Sequence, residues 1–158
     1  MIFIVVGTQQ PFDRLVKSVD NWSSTSGNND IIAQIADANY KPTNFKWFDY
    51  IPMKEFNELF LKADLIVAHA GMGTIISALQ YQKPIIVMPR LASFREHRND
   101  HQLATANSFA KLGYVKAVYS EAELYETLDN RANIIPVPPI SKHASVQLIE
   151  SIENYLFK

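Results

Sequence analysis

Residues 65–81, with the sequence LIVAHAGMGTIISALQY, decide the fold. Residues 65–68 are a continuous apolar run, which predicts a strand that is buried on both faces. A glycine-rich turn follows at residues 69–74, and residues 75–81 have the pattern of a helix. A strand, a turn and a helix in this order are the building block of an α/β sheet.

The turn has the composition of a phosphate-binding site. Gly71 and Gly73 allow close backbone approach and positive φ, and Thr74 places a hydroxyl at the predicted start of the helix. A tight turn without a ligand is the alternative. Two nucleotide motifs are excluded, because the third glycine of a dinucleotide fingerprint would fall at Ile76 and no lysine follows the glycines as in a P-loop.

Strands and helices alternate along the rest of the chain. Apolar or β-branched runs predict five more strands, at residues 2–6, 30–36, 45–50, 85–88 and 114–119. Apolar residues at helical spacing predict the helices between them, including one that closes at Gly113 and one from Ser120, paired with Glu123, to about Asn130. Because the strands are apolar throughout, we expect one doubly wound, Rossmann-like parallel sheet.

Length and composition indicate a single domain over residues 1–158, with residues 134–158 as an extended crossing segment and a terminal helix. A net charge of −1 does not indicate a nucleic-acid partner. Without cysteine, thiolate metal ligands and a cysteine nucleophile are excluded. The apolar start is too short for a signal peptide or a membrane span, so we expect a cytoplasmic protein.

Four loops are candidates for function, because ligands of parallel sheets bind beyond the carboxyl ends of the strands. They are residues 7–10, 50–53, 69–74 and 89–101. In the first loop, Gly7 and Thr8 could line one side of a crevice. In the second, Tyr50 and Ile51 offer an aromatic and apolar shelf for a base, with core packing as the alternative.

The loop after the fifth strand is the densest cluster, with three arginines and two of the four histidines in residues 90–102. Arg90 could neutralise a diphosphate, whereas Asp100 and Gln102 combine the acceptors and donors that bind sugar hydroxyls. A solvated loop before a capped helix, with Asn99 or Asp100 as the cap, is the alternative.

A metal site is not expected in this cluster. His97, Asp100 and His101 are close in sequence, but they straddle the predicted start of a helix. Glu96 is not placed as in a zinc-hydrolase helix. A serine hydrolase is also not expected, since no Gly-x-Ser-x-Gly elbow is present.

Several segments together resemble a known family. They are HAGMGTI at residues 69–75, KPIIVMPR at 83–90 and EHRNDHQ at 96–102, with VVGT at 5–8 and PFDRL at 11–15. In this order they are similar to the carboxyl-terminal, donor-binding half of the family 28 glycosyltransferases. The similarity covers about residues 2–130. It is strongest to the stand-alone subunits of bacterial exopolysaccharide and capsule synthesis and of the eukaryotic dolichol-linked N-acetylglucosaminyltransferase.

The resemblance implies one half of a two-domain GT-B fold that binds a UDP-sugar and transfers the sugar with inversion, without a metal ion or other cofactor. It implies that the glycine turn holds the diphosphate, Tyr50 and Ile51 the uracil, and His101 with Gln102 the sugar. The full predicted donor site consists of Gly7, Thr8, Tyr50, Ile51, His69, Gly71, Gly73, Thr74, Arg90, Glu96, His97, Asp100, His101 and Gln102.

One position departs from the family pattern. In the lipid-linked peptidoglycan member, a glutamate in the helix after the glycine turn binds the ribose, and the matching residue here is Ser77. The resemblance therefore predicts a ribose contact that is weaker or is made elsewhere.

The resemblance also implies a partner. A complete enzyme of this kind has an amino-terminal acceptor domain, which the family's stand-alone subunits obtain from a separate membrane-anchored subunit. The acceptor would be a saccharide on an undecaprenyl diphosphate carrier, at the inner face of the cytoplasmic membrane. His101 is the best catalytic candidate, and the general base for the attacking hydroxyl can lie on the partner.

Three functions remain open from the sequence. The first is an inverting hexosyltransferase subunit for a surface polysaccharide, with β-1,4 transfer of galactose as the preferred reaction. The second is a non-catalytic subunit that enhances a partner transferase, and the third is an unrelated nucleotide-binding module. The intact Asp100, His101 and Gln102 favour the first over the second, and the failed nucleotide motifs count against the third.

Overall fold

The computed structural model describes residues 1–136 and the single positions 146, 150, 151, 154 and 155. It contains six strands, β1 Ile2–Val5, β2 Ile31–Gln34, β3 Lys46–Phe48, β4 Leu65–His69, β5 Ile85–Met88 and β6 Lys116–Ala117. The helices are α1 Asp13–Ser26, α2 Met53–Lys62, α3 Met72–Gln80, α4 His101–Lys111 and α5 Glu121–Asp129, with 3-10 turns at Ala92–Phe94 and Arg131–Asn133. Most of the predicted terminal segment 134–158 lies outside the described residues.

The six strands form one parallel sheet in the order β3-β2-β1-β4-β5-β6. The order reverses between β1 and β4, which lie side by side with Val5 paired to Ala68. In doubly wound sheets the ligand crevice opens at this switch point, beyond the carboxyl ends of the strands. The predicted Rossmann-like class is confirmed.

Helices cover both faces of the sheet, so the four central strands are buried on both sides, whereas the edge strands β3 and β6 are partly exposed. One core cluster packs α1 and α5 against the sheet through Leu15, Trp22 and Leu124. The other packs α2, α3 and α4 against the opposite face through Phe60, Ile75 and Ala106. This explains why the central strands are apolar without alternation.

The predicted start of the helix after the glycine turn was wrong by three residues. Helix α3 begins at Met72 and not at residue 75, because the Ile75 amide already donates to the Gly71 carbonyl at 3.1 Å. Gly73 and Thr74 therefore lie in the first turn of the helix. The positive φ that glycine allows is not used at position 71, where φ is −86°.

The predicted sixth strand, residues 114–119, is reduced to Lys116–Ala117. The reason is that the end of α4 extends into it. Gly113 has φ +75°, and the Tyr114 amide still donates to the Phe109 carbonyl at 2.9 Å. This is the bond pattern of a helix closed by a left-handed glycine, so the strand can begin only afterwards.

Asp20 organises the connection between β2 and β3 from a buried position in α1. Its carboxylate accepts hydrogen bonds from the Tyr40 hydroxyl at 2.6 Å and from the amides of Thr43 and Asn44. Burial alone would raise the pKa of Asp20, but these hydrogen bonds outweigh it and lower the pKa. The same contact, with burial, raises the pKa of Tyr40 to about 12.

Replacing this carboxylate should destabilise the fold. Asp20→Ala leaves the partly buried donors of Tyr40 and Asn44, and the Thr43 amide, without their acceptor, so we expect a loss of about 1–3 kcal/mol in the free energy of unfolding. Urea denaturation measures this change. Asp37→Ala, in the exposed part of the loop after β2, is the matched control and should change the free energy by less than about 0.5 kcal/mol. Equal losses in both variants would contradict the role of Asp20.

Candidate functional site

A cavity of about 380 Å³ opens at the carboxyl edge of β1, β4 and β5. It is lined by Val6, Gly7, Thr8, Gln9, Gln10, His69, Gly71, Gly73, Thr74, Arg90, His97 and Gln102. Larger hollows of about 500 and 600 Å³ lie beside β6 and α5 and at the amino edge of the sheet. The edge cavity is the candidate site, because it lies at the switch point of the sheet.

His69, the last residue of β4, determines the shape of the glycine turn. Its imidazole ring occupies the space beside residue 71, where even a methyl group would overlap Nε2. A Cβ at position 7 would lie 3.1 Å from Cε1 of the same ring. Gly71 is therefore required by the neighbouring ring, whereas Gly73 has nothing within 4 Å of a built Cβ and borders open space.

The His69 ring is neutral. Its Nδ1 lies 3.2 Å from the Val5 carbonyl, which can only accept a hydrogen bond, so Nδ1 carries the proton and Nε2 has a free lone pair. Burial lowers the pKa of His69 to about 4, and the positive charge of Arg90 contributes, followed by His97. A bound anion would oppose these effects and favour the protonated ring.

The loop after β1 offers unoccupied backbone donors. Gly7 has φ +86°, and within the described structure the amides of residues 7–10 donate to no protein acceptor. The amides of Met72, Gly73 and Thr74 are likewise without intrahelical partners at the start of α3. Two sets of N–H groups therefore border one cavity, as in known anion sites.

The groups around the cavity favour an anion. The Arg90 guanidinium and the rings of His69 and His97 line it, and none of the described residues that line it carries a carboxylate. His97 donates from Nδ1 to the Asn99 carbonyl at 3.1 Å, if Nδ1 carries its proton, and this leaves Nε2 free. The cavity can therefore bind a negatively charged group through backbone donors, and through the imidazole rings when Nε2 is protonated.

Several residues predicted to contact the ligand make hydrogen bonds that hold the loop after β5. Glu96 pairs with Arg14 at 2.7 Å and accepts from the Leu91 amide, so its carboxylate is engaged with the protein. Asp100 accepts from the Ala92 amide at 2.9 Å. Gln102 lines the cavity, but its Oε1 accepts from the Arg90 amide at 3.1 Å and only its Nε2 remains available.

The structure brings nine of the predicted residues together around the cavity, namely Gly7, Thr8, His69, Gly71, Gly73, Thr74, Arg90, His97 and Gln102. The other five, Tyr50, Ile51, Glu96, Asp100 and His101, do not line it. Tyr50 is 63% exposed, whereas Ile51 is buried and its amide donates to Gln34. His101 is exposed at the first position of α4, and the Ser77 hydroxyl donates to the Gly73 carbonyl.

Gln9 and Gln10 belong to the predicted loop at residues 7–10 but were not among the predicted site residues, and they line the cavity. Arg14 and Gln34, which lie behind the cavity wall, were not predicted to have a role. Gln34 is a polar residue at the end of an apolar strand, and this was a usable signal. Arg14 falls on the polar side of an amphipathic helix and carries no such signal. In the described part of the chain, no three histidine or acidic side chains lie close enough to hold a metal ion.

Solved structures place this architecture in one class. The chain is similar to the NMR structure of ALG13, with TM-score 0.62 and 21% identity, over 96% of this chain and 93% of that one. It is also similar to MurG from Acinetobacter baumannii, with TM-score 0.61 and 17% identity, over 83% of this chain and 41% of that one. The fold is that of one Rossmann-like half of a GT-B glycosyltransferase.

Sequence comparison then gives the family. Residues 1–147 match the glycosyltransferase family 28 C-terminal domain. The chain belongs to this family.

Two relatives illustrate the match. The UDP-N-acetylglucosamine transferase subunit ALG13 of Eremothecium gossypii is 34% identical, over 58% of this chain and 45% of that protein. A pyrophosphoryl-undecaprenol N-acetylglucosamine transferase of Geobacillus kaustophilus is 32% identical, over 68% of this chain and 30% of that protein. The chain thus spans less than half of these relatives. In the described residues, no helix is long and apolar enough to cross a membrane.

The buried neutral His69 predicts a pH dependence of stability. Because its folded-state pKa is about 4 and the unfolded value is about 6.5, the unfolded state binds the extra proton between these pH values. Stability should therefore fall as the pH drops from about 6.5 to 4, by roughly 2–3 kcal/mol from this residue. Below about pH 4 this loss should level off.

Denaturation of wild type and His69→Gln across this pH range isolates the effect. The difference in unfolding free energy between the two proteins should shift in favour of the variant as the pH falls. His101→Gln, which replaces an exposed histidine, is the control and should run parallel to wild type. A pH-independent difference for His69→Gln would show that this ring is not held neutral.

Proposed function

We propose that this chain is the donor-binding, catalytic subunit of an inverting glycosyltransferase that uses a UDP-sugar. The observation that carries the proposal is the cavity itself, where amides without a protein acceptor from two elements meet the rings of His69 and His97, with no carboxylate among the described lining residues. A nucleoside diphosphate-sugar presents a diphosphate that matches these donors. Membership of family 28 supports glycosyl transfer as the chemistry.

The diphosphate would lie between the loop at residues 7–10 and the first turn of α3. In an inverting transfer, an acceptor hydroxyl attacks the anomeric carbon, the bond from that carbon to the phosphate oxygen breaks, and UDP leaves with the bonding electrons. The negative charge that grows on the leaving phosphate would be stabilised by the N terminus of α3 and by donors of the loop. No metal is required for this stabilisation.

His69 would strengthen the site by becoming protonated. With Nδ1 bonded to the Val5 carbonyl, a proton on Nε2 would give a charge-assisted donor to a phosphate oxygen. Binding of the diphosphate and protonation of the ring would then favour each other. The pKa of His69 should therefore rise above about 4 in the complex.

The remaining groups would bind the two ends of the donor. Tyr50 and Ile51 would form the shelf for the uracil. The Ile51 amide already donates to Gln34, so the Ile51 carbonyl would be the group that contacts the base. Gln102 through Nε2, with His97, Asp100 and His101, would bind the sugar. The Ser77 hydroxyl is bonded within α3, so a ribose contact would come from elsewhere.

The acceptor side would come from another chain. We propose a membrane-anchored partner that supplies the acceptor domain and holds a saccharide on an undecaprenyl diphosphate carrier, at the cytoplasmic face of the membrane. The general base would lie on that partner, with His101 as the alternative in this chain. Capsule or exopolysaccharide synthesis is the proposed process, with galactose in a β-1,4 linkage as the proposed product. The relatives are named for N-acetylglucosamine transfer, so UDP-N-acetylglucosamine is the competing donor.

A second candidate function is a non-catalytic subunit that enhances a partner transferase. The exposure of His101 and its position outside the cavity favour this alternative. A catalytic subunit would bind the donor and lose transfer activity in His101→Ala, whereas a non-catalytic subunit would do neither.

Calorimetry of the chain, with and without its partner, tests the proposal. UDP and one or more of UDP-galactose, UDP-glucose and UDP-N-acetylglucosamine should bind, and GDP should bind less tightly. His101→Ala should lower transfer in the reconstituted complex while it leaves unfolding unchanged. Absence of binding to every uridine nucleotide in both settings would refute donor binding by this chain.

Gly71→Ala should displace the His69 ring and weaken UDP binding about tenfold or more. The added methyl group would overlap Nε2, so the ring has to leave its position at the Val5 carbonyl. Gly73→Ala adds the same group in open space, and the NMR signals of the His69 ring should stay where they are. Unchanged His69 signals in Gly71→Ala would contradict the packing described here.

A further inference from the structure

Two buried side chains hold the loop between β1 and α1 from different sides. The first is Arg90, which is 3% exposed although it carries a charge. Its Nη2 donates to the Val6 carbonyl at 2.8 Å and to the Gln10 carbonyl at 2.6 Å. Its guanidinium lies 5.0 Å from the centroid of the buried Phe12 ring. Arg90 therefore connects the start of the β5–α4 loop to both ends of the loop after β1.

Among the described residues, no carboxylate forms an ion pair with the Arg90 guanidinium. Burial lowers the pKa of Arg90, and the charge of Glu96 acts on the guanidinium and raises the pKa by a smaller amount. Glu96 is bonded to Arg14, and Arg90 Nε is buried without a hydrogen-bond partner in the described structure. Burial of such a charge is unfavourable unless its donors are used. Nη2 donates to the carbonyls of Val6 and Gln10 in the loop after β1. These hydrogen bonds therefore determine where the Arg90 guanidinium lies.

The second side chain is Gln34, at the end of β2, which is 2% exposed. Its Nε2 donates to the Gly7 carbonyl at 3.4 Å, and its Oε1 accepts from the Ile51 amide at 3.0 Å. Gln34 thus connects the loop after β1 to the shelf after β3. These are the two segments proposed to bind the phosphates and the uracil.

The two contacts fix the direction of the loop amides. A peptide group is planar and trans, so the N–H of one residue points opposite to the C=O of the residue before it. When Arg90 holds the Val6 carbonyl and Gln34 holds the Gly7 carbonyl, the N–H groups of Gly7 and Thr8 point away from these side chains. Both N–H groups are without a protein acceptor in the described structure.

We propose that Arg90 and Gln34 are positioning residues that keep the loop at residues 7–10 in a preformed state for the diphosphate of the donor. The inference rests on the proposed function and changes the role of Arg90, whose main task is to hold carbonyls and not to contact phosphate. Loss of either residue weakens recognition of the diphosphate, because the loop amides must then be ordered during binding.

Four variants test this inference. Arg90→Met and Gln34→Met keep the approximate length of the side chains and remove the hydrogen bonds, and Arg90→Lys keeps the charge on a single nitrogen. Arg131→Met is the matched control. Arg131 also donates to a backbone carbonyl, that of Leu128 at 2.9 Å, and lies 5.4 Å from the Trp22 ring centroid, but it borders the amino edge of the sheet.

The measurements are the affinities for UDP and for uridine, and the order of the amides of residues 7–10 in the free protein by heteronuclear NOE. Arg90→Met should weaken the binding of UDP about tenfold, change the affinity for uridine less than twofold and lower the NOE values of the loop. Gln34→Met should lower the same NOE values and weaken UDP, and Arg90→Lys should resemble Arg90→Met. Arg131→Met should resemble wild type in all three measurements. If Arg90→Met does not fold, Gln34→Met and Arg90→Lys carry the test.

Three results would overturn the inference. One is an Arg90→Lys protein with wild-type UDP affinity, which would assign the effect to charge. The second is weaker UDP binding with unchanged loop NOE values, and the third is an equal loss of affinity for UDP and uridine in Arg90→Met or Arg90→Lys. A wild-type protein that binds no uridine nucleotide would instead refute the proposed function, while the loop NOE values would still report whether Arg90 and Gln34 order the loop.

Discussion

The His69 imidazole ring, packed between the backbones of residues 7 and 71, is the contact on which the candidate site depends. It lies at the end of β4 beside β1, where the strand order of the sheet reverses. The ring leaves no space for a side chain at position 71, and it is bonded to the Val5 carbonyl. The loop after β1 and the start of α3 are therefore fixed relative to one another by a single neutral side chain.

The loop after β5 is fastened to this pair by a second set of contacts. Arg14 bonds to Glu96 and to the Pro89 carbonyl, and its guanidinium lies close to the rings of Phe12 and Phe94. Both partners of the ion pair are largely buried, so removal of either one leaves an uncompensated charge. The cavity is thus bounded by three loops whose positions are set by side chains behind them.

The sheet could be predicted from the sequence, because continuous apolar strands between amphipathic helices allow few arrangements. The loops that form the cavity could also be predicted, since parallel strands end at the same edge of the sheet. The start of α3 was missed because glycines are poor helix formers, yet Gly73 lies in the first helical turn. Local propensity could not show that a ring from residue 69 occupies the space beside Gly71.

The roles of the charged residues could not be derived from the sequence. Arg90 and Glu96 have the composition of a phosphate and sugar site, but their partners lie 84 and 82 positions away along the chain. Only the folded structure shows that Arg90 reaches the Val6 carbonyl and Glu96 reaches Arg14. A dense cluster of charged residues near a crevice can therefore serve to hold the loops that form it.

The cavity at the carboxyl edge is proposed to bind the diphosphate of a nucleotide donor. An NMR titration of the ¹⁵N-labelled chain with UDP tests it most directly, because each proposed donor is a separate amide or ring signal. We expect the largest shifts on the amides of residues 7–10 and 72–74 and on the His69 ring. Shifts confined to the groove beside β6 and α5, or no shifts at saturating UDP, would contradict it.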